Sequence, residues 1–299
     1  MVDNAVPQTL RANSPGLAVE GHDPAAAPTL VVGGTGKTGR RVAIRLAARG
    51  LAVRIGSRSA EPPFDWEDEA TWAPALRGAR AAYVTYYPDL AAPGAVEAVR
   101  RFIDLALKQG VTRLVLLSGR GEEEAGHAEW VLQESGAEWT VLRSSWFAQN
   151  FSENYLLDPI LAGEVVLPAA DVPEPFVDAD DIADVAAAAL TEPGHAGKLY
   201  ELTGPRLLTF REAVAEIAAA TGREIRFTSV PVEEYAALLA AAGVPADVAG
   251  LLTYLFTEVL DGRNASLADG VQQALGRPPR DFRDYARKTA ATGIWSPAS

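Results

Sequence analysis

The chain has no cysteine among its 299 residues. That excludes disulfides, thiolate nucleophiles, iron–sulfur clusters and cysteine zinc sites. Its three histidines, His22, His127 and His195, lack metal-ligand spacing, so no metal is expected. No stretch of 18 apolar residues occurs, which argues against a membrane-spanning helix. Positive charge is short as well: 27 Lys and Arg stand against 39 Asp and Glu, a formal net charge of −12. Such a surface repels nucleic-acid phosphates and anionic lipid, so the expected partner is a small molecule. Residues 1–28 mix Pro, Ala, Asn and Asp without a basic start or an apolar run. They are expected to form an N-terminal extension and not a secretory signal, which points to a cytoplasmic protein.

What is present is an alternation. At roughly 150 residues per domain the length allows two domains, or one elaborated α/β unit. Thr29-Leu30-Val31-Val32 is a short apolar run stopped by glycines, the pattern of a strand buried on both faces. A helix over Lys37–Arg49 ends at Gly50, and Leu51–Gly56 reads as a second strand. A third strand is expected near Phe64, a fourth over Ala81–Tyr86, a fifth over Val111–Leu117 and a sixth over Glu138–Leu142. Helices over Glu97–Gln109 and Glu122–Ser135 separate the last three. Strands alternating with such helices predict right-handed crossovers and a parallel sheet. After Phe147 helical runs dominate: Ile182–Leu190, Phe210–Thr221, Val232–Ala242, Val248–Leu260 and Leu267–Leu275. The expected architecture is α/β, a Rossmann-type doubly wound parallel sheet with a smaller, mostly helical C-terminal lobe. Residues 29–153 would form the nucleotide-binding domain, with 172–202 returning to the sheet; 154–171 and 203–299 would form the substrate lobe.

Between the first strand and the first helix lies Gly33-Gly34-Thr35-Gly36-Lys37-Thr38-Gly39. Gly33 suits a tight turn, Gly36 lets backbone approach a pyrophosphate, and Gly39 lets the helix pack closely. The helix N-terminus then offers free amides and a positive dipole end. An ATPase P-loop would need glycine at position 31, which is Val31, so that reading fails on spacing. NAD(H) selection calls for an acid at the end of the second strand. Here Ser57, Arg58 and Ser59 follow it instead, and a guanidinium suits a 2′-phosphate. NADP(H) is therefore favoured, with NAD(H) left open. Asp65 would meet the adenine amine or serve as an ordinary turn aspartate.

Ligands of such sheets lie beyond the carboxyl ends of the strands. The nicotinamide is thus expected near Thr85, Tyr86 and Tyr87 and near Ser118 and Gly119. Tyr86 and Tyr87 would donate a proton, stack on a flat ligand, or simply pack as wall. His127 would act as acid or base, or be a surface or packing histidine. Trp146, Phe147, Gln149, Asn150, Phe151 and Tyr155 follow the sixth strand and would line an aromatic pocket with polar anchors, with at least one ring filling the core. Leu116 breaks the Gly-x-Ser-x-Gly pattern around Ser118, which excludes a hydrolase elbow. Asp178, Asp180, Asp181 and Asp184 read as helix-capping and first-turn acids.

With the glycine loop, Arg58, Ser118-Gly119, the run Trp139 to Phe151, Phe176-Val177-Asp178-Ala179-Asp180-Asp181-Ile182-Ala183 and Phe282-Arg283-Asp284-Tyr285-Ala286 in view, the chain resembles the NmrA-like branch of the atypical short-chain dehydrogenase/reductases. The likeness runs from about Thr29 to Trp295. It looks most similar to NAD(P)H quinone reductases, to festuclavine dehydrogenases and to tailoring enzymes of actinomycete aromatic polyketide pathways. The resemblance implies a small aromatic substrate, secondary metabolism such as antibiotic biosynthesis, and a homodimer as one assembly. The wider superfamily pairs a strand-end Ser, which Ser118 matches, with Tyr-x-x-x-Lys on the next helix. Between Tyr87 and Tyr155 there is no tyrosine, and the lone lysine is Lys108. Without that relay, the expected substrate is a quinone, flat polyketide or iminium whose hydride adduct is already stable. The branch also holds NADP redox sensors that bind a regulatory protein, which is the alternative function; a tailoring oxygenase or isomerase on the same scaffold is another.

Overall fold

The computed structural model describes residues 27–169 and 171–297. All but the last two residues of the expected extension, His22 included, lie outside them.

In chain order the elements are β1 (Thr29–Val32), α1 (Lys37–Ala48), β2 (Val53–Gly56), α2 (Trp72–Leu76), β3 (Ala81–Val84), α3 (Ala95–Lys108), β4 (Arg113–Gly119), α4 (Glu123–Gln133) and β5 (Glu138–Ser144). There follow α5 (Asn150–Glu153), α6 (Leu157–Ala162), β6 (Glu164–Leu167), α7 (Ala179–Thr191), β7 (Lys198–Leu202), α8 (Phe210–Thr221) and β8 (Arg226–Ser229). The chain continues through α9 (Val232–Ala241), α10 (Ala246–Tyr254), α11 (Gly270–Leu275) and α12 (Phe282–Ala291). The main sheet is parallel throughout, in the order β2-β1-β3-β4-β5-β7. A second parallel pair joins β6 to β8.

Strand alternation explains the layers. Leu30 and Val32, Ala82 and Val84, and Leu114 and Leu116 face one core, which α3 and α4 cover. Val31, Ala81, Tyr83 and Val115 face the other, which α1 and α7 close. The alanine-rich α7 brings only Ile182, Val185 and Leu190 as larger side chains to this layer, so it lies close against both α1 and the sheet. Arginines of α1 grip its acids: Arg45 pairs with Asp180 at 2.8 Å and also with Asp184. Asp178 caps α7, its carboxylate accepting from the Asp180 amide at 2.8 Å. The acids near Ile182 are thus helix-start and ion-pair groups. A third core, around Phe151, Phe176, Phe210, Phe282 and Trp295, joins α8 and α12 to β6.

The third strand expected near Phe64 does not form. Pro62 and Pro63 supply no ladder donors. Phe64 instead turns inward, edge-on to Trp66 at 5.1 Å and Phe102 at 5.7 Å. The helix expected over Val248–Leu260 holds its α form only to Tyr254, then widens into a π turn at Leu255–Val259. Thr253 and Thr257 there donate back to Ala249 O and Thr253 O, at 2.8 and 2.9 Å, bonds that bend helices. Residues 267–269 stay outside α11 because Thr203 Oγ1 bonds both the amide and the carbonyl of Ala268.

Candidate functional site

Chain order along the sheet reverses beside β1, since β2 lies on one side and β3 on the other. The carboxyl ends of β1 and β3 therefore border a crevice. Gly33 enters it with φ +65°, which favours glycine; a Cβ there would also fall 2.7 Å from Thr85 Cγ2. Gly39 permits something tighter still. A Cβ on it would sit 2.2 Å from Gly33 O, so only glycine lets the first turn of α1 fold onto the loop. Gly36 caps α1 in extended backbone and has no side chain to satisfy the first-turn amides. Ser57 and Ser59 bring their hydroxyls within 3.4 Å beyond β2, and Arg58 between them is exposed.

The segment after β5 locks onto this loop. Lys37 Nζ donates to Asn150 Oδ1 at 2.5 Å and lies 5.8 Å from the Phe147 ring centroid. Arg41 pairs with Glu153 at 2.7 Å, tying α5 to α1. Burial lowers the Lys37 pKa to about 8, although Glu153 opposes that shift. Lys37, Phe147 and Asn150 are thus brought together. Gln149 is not: its amide is buried, donating to Asp178 Oδ1 and accepting from the Ala179 amide, both at 2.7 Å. It clamps the start of α7. Phe151 is fully buried in the third core, while Trp146 packs on Phe256 at 5.0 Å. The Tyr155 hydroxyl is buried with no partner among the described residues, and burial raises its pKa well above the usual tyrosine value. Asp65 serves its own turn, its Oδ1 accepting from the Glu67 amide at 3.1 Å.

Tyr86 leans on Trp66 at 4.9 Å, and burial raises its pKa. Tyr87 is 76% exposed. Ser118 points toward α4, where its hydroxyl donates to Glu129 Oε1 at 2.6 Å. Glu129 is only 2% exposed and also receives Arg143 Nε at 2.9 Å. Arg143 reaches on to Glu201 at 3.1 Å, and the bond to Glu129 raises its pKa. His127 does not join this network. Two residues from Glu129, roughly 200° around a helix, it lies on the opposite face. Its side chain is 59% exposed and it faces Glu124 at 3.3 Å. That placement answers the expectation of an acid or base: the ring lies on the solvent side of α4, away from Ser118.

Beyond β4 and β5 opens a cavity of about 330 Å³ bordered by Gly119, Glu122, Arg143, Glu201, Arg263 and Asn264. Glu122 lies directly over Gly119, where a Cβ would fall 2.0 Å from its Oε1. Burial raises its pKa well above the carboxylate range, and Asp89, within hydrogen-bonding reach, adds to the rise. Nearby, Glu174 is wholly buried, and neither carboxyl oxygen has a partner among the described residues. Burial pushes it up to about 7 while Arg120 pulls it down. Sequence reasoning passed over Glu122, Glu129, Arg143 and Glu174. Glu129 alone left a signal: it interrupts the apolar face of α4 set by Ala125, Ala128 and Leu132.

The description of an NAD(P)H-binding family matches residues 33–193, from the glycine loop through α7. The chain belongs to that family. It is an NmrA-like atypical short-chain dehydrogenase/reductase and an NAD(P)-dependent oxidoreductase. It is 36% identical to an agroclavine dehydrogenase of Claviceps fusiformis, over 86% of this chain and 95% of that one. A festuclavine synthase of Penicillium roqueforti is 32% identical over 86% and 96%. Among solved structures, the Escherichia coli NADPH-dependent quinone oxidoreductase in complex with NADPH superposes with a TM-score of 0.70. It covers 87% of this chain and 99% of its own at 22% identity, a likeness of fold. The residues of this NAD(P)H-binding chain fit the coenzyme. The glycine cradle would be filled by a Cβ at Gly33 or Gly39, and the uncapped first turn of α1 leaves amides for a pyrophosphate. Among the described residues no helix is long and apolar enough to cross a membrane, and no group of His, Asp and Glu could hold a metal ion.

Proposed function

We propose that this oxidoreductase reduces a flat, conjugated electrophile, such as a quinone, an aromatic polyketide or an iminium ion, and that it draws on NADPH in preference to NADH. The coenzyme, when bound, supplies the hydride. The loop Gly33–Gly39 holds its pyrophosphate, Arg58 with Ser57 takes the 2′-phosphate, and Thr85 and Gly119 border the nicotinamide end.

One observation carries the choice of substrate. The helix α4 reads Glu-Glu-Ala-Gly-His-Ala-Glu-Trp-Val-Leu-Gln, with neither tyrosine nor lysine, and the Ser118 hydroxyl is committed to Glu129. An ordinary ketone needs a poised acid at its nascent alkoxide, and a tyrosine of pKa about 10 meets that need only beside a cation. A quinone spreads the new charge over its ring, so a less specialised acid than a tyrosine–lysine couple serves it, and an iminium becomes a neutral amine. The similarity to an agroclavine dehydrogenase supports the reading. Trp146, partly buried and backed by Phe256, offers an aromatic face on the lobe side.

The test is NADPH oxidation against a panel of quinones and cyclic iminium ions, with simple aliphatic ketones for contrast. Turnover confined to the first two groups is expected. Tight NADPH binding with no turnover of either defeats the reading.

A further inference from the structure

The cavity beyond β4 contains a carboxyl group in an unusual position. Glu122 stands at the start of α4, its head group resting on Gly119 at the last position of β4, one residue past Ser118. The groups facing it come from several elements. Asp89 comes from the loop after β3, Glu129 from α4 itself and Tyr254 from α10; Arg263 from the loop beyond α10 borders the same cavity. Glu123 adds a further negative charge beside Tyr254. Asp89 is held in place by its own turn, Oδ1 accepting from the Ala91 amide at 2.8 Å. Burial, the larger cause, and the neighbouring Asp89 both favour the protonated form of Glu122. A neutral carboxylic acid is thereby exposed to a cavity at the carboxyl edge of the sheet. That is where a substrate of this fold meets the coenzyme.

We propose that Glu122, laid over Gly119 and paired with Asp89 at the border of this cavity, is the proton donor to the substrate. The proposal rests on the reductase reading and deepens it. It names a substrate whose hydride adduct carries its new electron pair on a carbonyl oxygen, as a quinone does. The Glu122 O–H bond breaks, an O–H bond forms on that oxygen, and the electrons of the broken bond stay on the carboxylate. The new carboxylate then faces Asp89, Arg143 and Arg263. Repulsion by Asp89 draws a proton back from water through the open cavity. The sum is substrate, reduced coenzyme and one solvent proton giving reduced substrate and oxidised coenzyme. An iminium adduct, already a neutral amine, makes no such demand.

The test compares wild type, Glu122→Gln and Asp89→Asn on one quinone and one cyclic iminium. General-acid removal predicts a loss of roughly 10²-fold in quinone turnover for Glu122→Gln, with a far smaller loss on the iminium. Asp89→Asn removes the neighbouring charge, so Glu122 gives up its proton more readily and the alkaline fall in quinone turnover moves to lower pH. Infrared spectra of the coenzyme-free protein are expected to show a protonated carboxyl at neutral pH that disappears in Glu122→Gln. Equal losses on both substrates, an unmoved alkaline limb or a missing carboxyl band would each overturn the proposal. A wild type active on quinones whose Glu122→Gln variant matches it also overturns the proposal, and leaves the reductase reading standing. A wild type that turns over neither substrate overturns that reading, and this proposal with it.

Discussion

Around β1 and α1 the molecule is shaped by the absence of side chains, whereas beyond β4 and β5 it is shaped by long charged ones. At the first end, Gly33 and Gly39 let backbone meet backbone at distances a Cβ forbids, and first-turn amides are left for an anion. At the second, Ser118, Glu129, Arg143 and Glu201 form a chain of polar contacts across α4, β5 and β7. Both lie on the carboxyl edge of one parallel sheet. A backbone cradle depends on local geometry and tolerates almost any surroundings. An ion-pair chain anchored on one buried carboxylate, Glu129, depends on that carboxylate keeping its partner, because a charge left alone in low dielectric is costly.

That difference can be broken most sharply at Arg143. Replacing it with methionine leaves Glu129 buried with only the Ser118 hydroxyl. We expect a loss of about 3–5 kcal/mol in urea-denaturation stability, the usual cost of stranding one member of a buried pair. At the cradle end, effects should fall on ligand affinity and spare the fold. Arg58→Ala is expected to weaken NADPH binding by roughly 1.5–3 kcal/mol, the range for bonds to a charged group, while NADH affinity stays nearly level; calorimetry with both coenzymes checks this. Lys37 provides a smaller, pH-dependent version of the same contrast. Its pKa is lowered to about 8, chiefly by burial, so it is a cation below that pH and neutral above it. The Kd for NADPH should therefore rise as pH passes through about 8, by about tenfold if the charge is worth ~1.4 kcal/mol. The smallest effect is expected at His127. Alanine there should change stability by less than about 0.5 kcal/mol and leave turnover unaltered, since the ring stands in solvent.

Much of the architecture was legible along the chain. β1, α1 and α8 fall almost where apolar runs and glycine stops place them, because those signals act over a few residues. The missing strand at Phe64 was decided otherwise. Its aromatic side chain gains more from Trp66 beside it and from Phe102, far along the chain, than a proline-flanked strand could offer. Site residues divide in the same way. Gly33, Thr85, Lys37 and Asn150 meet around one crevice, and the first three stand beside recognisable strand ends. Gln149 reads as a pocket anchor until Asp178, 29 residues on, is seen to accept its amide.

By itself, the order of residues determined that a glycine loop would join a buried strand to a helix, that no cysteine chemistry was available, and that the helix after Ser118 would carry neither tyrosine nor lysine. These are properties of composition and short spacing. Only the tertiary structure decided that His127 faces water, that Glu129 takes the Ser118 hydroxyl, and that Glu122 lies over Gly119 at the border of a cavity. Such facts depend on burial and on partners brought from far along the chain, and a carboxyl's charge is set by what surrounds it once the chain has folded.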